Sequence, residues 1–120
     1  MDETKDFLIE SELLGKLYLN DILLYYVYPR CFVCKNEKSQ EYLFYEVASN
    51  DRTDAWIVCS LSGTDLDDIK SKRCSIQDVY KRHRCIELTY DYETFSSNYI
   101  FFDNVLSMLP KTNVYYDPEM

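Results

Sequence analysis

Glycine is almost missing: 2 of the 120 residues. A phosphate-cradling loop needs backbone positions that only glycine takes freely, so no Gly-rich nucleotide loop can be built in this chain. Histidine occurs once, so general acid–base or Cys–His chemistry would have to pass through His83. The chain has no apolar N-terminal export segment. Its most apolar stretch, Ile22 to Tyr28, falls far short of the about 20 residues that a membrane span needs. Positive charge is also scarce, at 13 Lys and Arg against 21 Asp and Glu, a formal net charge of -8. Such a chain is repelled by bare nucleic acid at long range and suits a basic partner, including the nucleic-acid channels of other proteins. Repeats, linkers and low-complexity segments are absent, and the length is that of one domain, 1–120. A chain of this size buries roughly two-thirds of its unfolded surface, enough for a core without staples.

What the chain does have is cysteine in odd number (5) and tyrosine in surplus (12). An odd cysteine count with no export segment points to a reducing cytoplasm. The strongest pattern lies between residues 28 and 61. Tyr28–Lys35, Glu41–Val47 and Ala55–Leu61 are runs rich in β-branched and aromatic residues, separated by the polar clusters Asn36–Ser39 and Ser49–Asp54. This predicts an antiparallel meander. Alternation puts Cys31 and Val33 on one face and Phe32 and Cys34 on the other, so both faces are apolar. The second face then needs a cover: helices, another layer of sheet, or another protein.

Around this meander, residues 2–14 predict a short helix capped by Thr4 and stopped at Gly15. Lys16–Tyr28 predicts strand, a bulge or turn at Asn20-Asp21, then strand again. Thr64–Ile69 and Ser75–Tyr80 each carry a cap residue, first-turn acids and basic residues at the C-terminal end, the signature of two short helices. Arg84–Tyr92 alternates as a half-exposed strand, Tyr99–Leu106 predicts another, and Val114–Tyr116 suggests a short edge strand in the tail. The expected class is therefore α+β: an antiparallel β-meander sheet with short helices inserted between the third and fourth meander-side strands.

The order Leu14-Gly15-Lys16-Leu17, Tyr25-Tyr26 ahead of Pro29-Arg30, Phe32-x-Cys34-Lys35-Asn36, Tyr42-Leu43, Trp56-Ile57-Val58 and Ser75-Ile76-Gln77-Asp78 resembles a family of small uncharacterised bacterial and phage domains with a Tyr-Tyr-x-x-x-Pro-x-x-Phe opening. The resemblance covers roughly residues 14–82 and departs where Tyr28 stands in place of an expected Gly. It implies an α+β fold and a bacterial, phage or mobile-element origin. It supplies no catalytic residues.

Four groups invite a chemical reading. Cys31 and Cys34 form a C-x-x-C, with Cys74, His83 and Cys85 as the remaining ligands if it held zinc. The insert Phe32-Val33 favours a strand, which sends the two sulfurs to opposite faces, and no helix N-terminus follows to activate a redox thiol. His83, flanked by Arg82 and Arg84, sits at an expected helix end on the surface. Asp65, Asp67 and Asp68 lack the ordered oxygens and bend glycine of a calcium loop and fit first-turn helix acids. The basic residues between Lys70 and Arg84 fit helix C-termini. That leaves the tyrosines, which exceed what a core this size can pair internally and suit a half-wet interface.

These observations lead to a non-enzymatic protein-binding domain, an acidic inhibitor or immunity-type protein, with no cofactor and no metal. It would contact a larger, basic or nucleic-acid-handling protein through Tyr25, Tyr26, Tyr28, Tyr92, Tyr99, Tyr115, Tyr116, Asp2, Glu3, Asp6 and Glu10, and would itself bind neither nucleic acid nor membrane. The alternatives are a zinc or thiol-redox module on Cys31 and Cys34, and a homo-oligomer with no separate ligand.

Overall fold

The computed structural model describes residues 6–26 and 28–102. Seven strands follow one another: β1 (Asp6–Ser11), β2 (Gly15–Tyr26), β3 (Tyr28–Lys35), β4 (Glu41–Ser49), β5 (Thr53–Ser60), β6 (Cys85–Asp91) and β7 (Ser96–Phe102). Two helices, α1 (Asp65–Lys70) and α2 (Ile76–Tyr80), stand between β5 and β6. All seven strands form one sheet in sequence order, each antiparallel to the next.

The expected α+β class is wrong. The helices have 6 and 5 residues, and the rest of the ordered structure is strand. The sheet curls into a nearly closed barrel, so this is a β fold with a small helical insertion. The helix expected over residues 2–14 is also overturned from Asp6 onward, because β1 pairs with β2 from Asp6↔Leu19 to Ser11↔Gly15. Gly15 serves both readings: a left-handed residue ends a helix or turns a hairpin, and here, at φ +85°, it turns the hairpin. Residues 2–5, the end of the strand expected to reach Leu106, and the tail strand at Val114–Tyr116 lie outside the described residues.

With so little glycine, the hairpins are turned by polar side chains. Ser11 Oγ accepts from the amides of Leu13 and Leu14. Asn36 Oδ1 accepts from those of Lys38 and Gln40, Asn50 Oδ1 from Arg52 and Thr53, and Asp91 Oδ1 from Glu93 and Thr94. Each side chain substitutes for a backbone acceptor and fixes the turn locally.

The curl solves the problem of two apolar faces. On the convex side, Leu23, Cys31, Val33, Leu43, Ile57 and Cys59 pack beneath Ile69 of α1 and Ile76, Val79 and Tyr80 of α2. On the concave side, Ile9, Leu17, Phe32, Phe44, Trp56, Val58, Ile86 and Leu88 pack against one another across the barrel. The centre of that interior is aromatic. Phe32 stacks on Phe44 at 5.3 Å, and Trp56 meets Phe44 edge-on at 5.5 Å. Register shifts bend the long β2 between Leu19 and Asp21 and again between Ile22 and Tyr25, and others occur in β1 and β4. Bulges of this kind raise the local twist and let a sheet roll up.

α2 is held by a reciprocal cap. The Asp78 amide donates to Ser75 Oγ, and the Ser75 amide donates to the Asp78 carboxylate. Its Tyr80 is fully buried, and its hydroxyl lies 2.7 Å from the Ile57 carbonyl and 3.1 Å from that of Leu43. The insertion is thereby pinned to β4 and β5.

Candidate functional site

Two places hold polar or exposed groups in a defined arrangement. The first is where the barrel fails to close. β1 and β7 are the two ends of the strand order. Between them lies a cleft of about 470 Å³ lined by Phe7, Glu10, Ser11, Glu12, Tyr90, Phe95, Ser96 and Ser97. Its walls are aromatic and hydroxylic, and among the described residues its charged lining consists of two carboxylates. Phe95 stands in the β6–β7 turn with φ 55° and is 78% exposed. A bulky residue rarely adopts that backbone conformation, and here no burial of its ring compensates the strain. Along β7, Tyr99, Ile100 and Phe101 are also exposed, with the Tyr99 and Phe101 rings 5.7 Å apart and the Arg84 guanidinium 4.1 Å from the Phe101 centroid. The strand Ser96–Phe102 carries no charge and no proline, the devices that commonly blunt a sheet edge.

The second place is an ion network at the root of the insertion. Asp65 is buried, and three donors meet its carboxylate: the Ser62 amide at 3.0 Å, Arg82 Nη1 at 2.8 Å and His83 Nε2 at 2.6 Å. An ionised carboxylate only accepts, so that ring nitrogen carries the hydrogen. Arg82 also reaches Asp68 at 3.2 Å, and Asp68 takes Arg73 at 2.9 Å. Burial pushes the Asp65 carboxyl up, but the hydrogen bonds from Ser62, His83 and Arg82 outweigh it and hold the group below its ordinary value. Arg73 and Arg82 hold Asp68 down as well. Every donor has an acceptor within the fold, so the network fastens α1 to the chain leaving α2.

A carboxyl held lower in the fold than in the unfolded chain contributes stability above its unfolded value of about 3.9 and loses that contribution as pH falls through the folded one. Resistance to urea should therefore be level near neutrality and fall below about pH 4. An Asp65→Asn variant should be less stable at pH 7 and show a shallower acid decline. Parallel acid declines in the two proteins would show that Asp65 is not a linked group.

The structure redistributes the expected site residues. Glu10 lines the cleft, and Tyr92 packs on the cleft residue Tyr90 at 5.0 Å while its hydroxyl donates to Asp54 at 2.7 Å. Tyr99 is exposed on β7, across from Leu88 of β6. Tyr25 is half-buried on β2 near the β2–β3 connection and does not line the cleft. Tyr26 and Tyr28 pair across that connection. Their side chains and that of Asp6 lie outside the described residues, as do Asp2, Glu3, Tyr115 and Tyr116 altogether. The sequence reading missed Phe7, Glu12, Phe95 and Phe101. Phe95 had a signal, since it is the one large apolar residue in the polar connection Glu93–Asn98.

His83 is not a solvated helix end, because it is half-buried against Asp65. The basic residues from Lys70 onward are largely paired: Lys70 with Asp21, Arg73 with Asp68, Arg82 with Asp65 and Asp68. Cys31 belongs to the convex core and Cys34 to the concave one, so the sheet separates the two sulfurs. Burial pushes both thiols up, away from thiolate chemistry. Among the described residues, no three of His, Cys, Asp or Glu are placed to hold a metal ion. No described helix is long and apolar enough to cross a membrane.

A rolled seven-stranded meander with helices on its convex face and an acidic, aromatic seam defines a small barrel-like β domain. The chain belongs to a family of unknown function (DUF6575), whose model matches residues 5–98. That match begins earlier and ends later than the resemblance drawn from the motifs, whose opening also differs here: two residues, Val27 and Tyr28, separate Tyr26 from Pro29. No curated protein matches the chain, and no solved structure does.

Proposed function

We propose that this chain is a non-enzymatic protein-binding domain of bacterial or phage origin, acting in the cytoplasm as an inhibitor or immunity-type protein by stoichiometric binding to a larger, basic partner. The observation that carries this reading is the seam. Phe7, Tyr90 and Phe95 offer aromatic faces, Glu10 and Glu12 offer the lining charges among the described residues, and an uncharged strand with exposed Tyr99, Ile100 and Phe101 lies beside them. Aromatic faces next to carboxylates suit Lys and Arg side chains, whose cations are drawn to both. β7 is the last strand of the sheet among the described residues, and such an edge suits an extended segment adding to it. The net charge of -8 adds attraction at a distance. A nucleic-acid-handling defence enzyme, with its basic channel, is the concrete partner class. Five free thiols agree with a reducing compartment.

The test compares two baits in lysates of bacteria with and without phage infection: the native chain and a Glu10→Lys, Glu12→Lys, Phe95→Gly variant. Glycine relieves the strained backbone at 95 while removing the ring, so the fold should survive the change. A partner that co-elutes with the native chain at fixed stoichiometry in size exclusion, and is retained at least about tenfold less by the variant, supports the reading; that ratio is about 1.4 kcal/mol of binding. Equal capture by both baits, or capture by neither, overturns it.

A further inference from the structure

Among the five cysteines, one pair is placed to react with itself. The β5–β6 ladder pairs Ile57 with Glu87 and Val58 with Ile86. One step further along the same register, Cys59 faces Cys85. Residues facing across an antiparallel ladder have Cα atoms about 4.5–5.5 Å apart, inside the roughly 4.4–6.8 Å that a disulfide spans. Both side chains belong to the convex core beneath α2, and both are free thiols. Cys85 Sγ also lies 3.6 Å from the Tyr80 carbonyl and 3.5 Å from that of His83, which fixes it at the point where the chain re-enters the sheet. Cys31 shares this core but sits on β3, two strands away from β5. At about 4.8 Å per strand it is too far to compete for Cys59.

We propose that Cys59 and Cys85 are a modification site, a cross-strand thiol pair that hydrogen peroxide oxidises to a disulfide enclosing the helical insertion. A water-sized oxidant is the class that fits, since both side chains are about 2% exposed. The interaction between the two sulfurs pushes the Cys85 thiol down and the Cys59 thiol up, so Cys85, whose proton otherwise points to the Tyr80 and His83 carbonyls, ionises the more readily. Cys85 is thus the attacking sulfur. Its thiolate displaces hydroxide from the peroxide O–O bond, forming a sulfenic acid, and the hydroxide takes up a proton to become water. The Cys59 sulfur then attacks the Cys85 sulfur, the S–O bond breaks, and the hydroxyl leaves as water with the thiol proton. Two thiols and one peroxide give one disulfide and two waters. The new bond ties β5 to β6 at the two ends of residues 60–84, which carry both helices.

The experiment uses the intact, folded chain. Peroxide treatment is followed by alkylation of the remaining thiols and tryptic digestion without reductant. Cleavage after Arg52, Lys70, Arg73, Lys81 and Arg84 places Cys59, Cys74 and Cys85 on separate peptides, and Cys31 and Cys34 together on another. The expected main product is the Cys59 peptide joined to the Cys85 peptide with two hydrogens lost, released by dithiothreitol, in a protein that melts at a higher temperature than its reduced form. In Cys59→Ser the Cys85 sulfenic acid has no partner and should be trapped by dimedone. Native protein whose two thiols both stay alkylatable, a disulfide made instead to Cys31 or Cys74, or over-oxidation of Cys85 with no cross-link would each overturn the proposal.

Discussion

Trp56→Ala is expected to lower the folding free energy by about 3–5 kcal/mol, the usual cost of deleting a large buried aromatic. Trp56 is 3% exposed and lies on β5 in the concave core, in edge-on contact with Phe32 at 6.5 Å and Phe44 at 5.5 Å. The barrel wall cannot collapse onto the vacancy, because its curvature is fixed by seven paired strands. A domain of this size has about 5–15 kcal/mol in all, so this one change removes a large share. Urea denaturation followed by circular dichroism measures it. A loss below about 1 kcal/mol would mean that the concave face is not packed as described.

Tyr80 is the second large lever, and two substitutions separate its roles. Tyr80→Ala should cost about 3–5 kcal/mol, because it opens a void between α2 and the sheet and removes the hydroxyl as well. Tyr80→Phe keeps the ring and loses only the contacts to the carbonyls of Ile57 and Leu43, so about 1–2 kcal/mol is expected. Both carbonyls belong to buried residues and can draw no substitute donor from solvent. Equal losses from the two variants would place the whole effect in the hydrogen bonds. No loss from Phe would show that the hydroxyl does not pin the insertion.

Much of this architecture could be read from the chain, and the failures have physical causes. Phe32, Phe44 and Trp56 alternate against Val33, Leu43 and Ile57, so the period of two and the apolar load on both faces were plain. The irregularity expected at Asn20-Asp21 is a register shift in β2. Both helical signals were local and both helices formed, although only Ser75 caps with its side chain; Thr64 makes no cap hydrogen bond, and α1 keeps its first-turn acids. What covers the second face was not legible, because a sheet covers itself only through curl, and curl is a sum of small bulges that no single residue announces. β1 was misread because Phe7 and Leu14 fall on one helix face with Gly15 as its stop, while Gly15 equally turns a hairpin. The choice was made by pairing with β2. The Asp65 network was hidden for a related reason: residues 65 and 82–83 are brought together only when the insertion folds back. The seam residues Phe7 and Phe95 are nearly ninety positions apart, and only closure of the barrel makes them neighbours.

The sequential order of the strands has a kinetic consequence. Each strand needs only the one before it, so the sheet can grow by zippering from any hairpin, and the entropy of closing long loops is deferred to two steps, the joining of β5 to β6 across the helices and the approach of β1 to β7. Pairing between consecutive strands keeps most ladder contacts closer in sequence than crossover topologies do, which favours quicker folding within the β class.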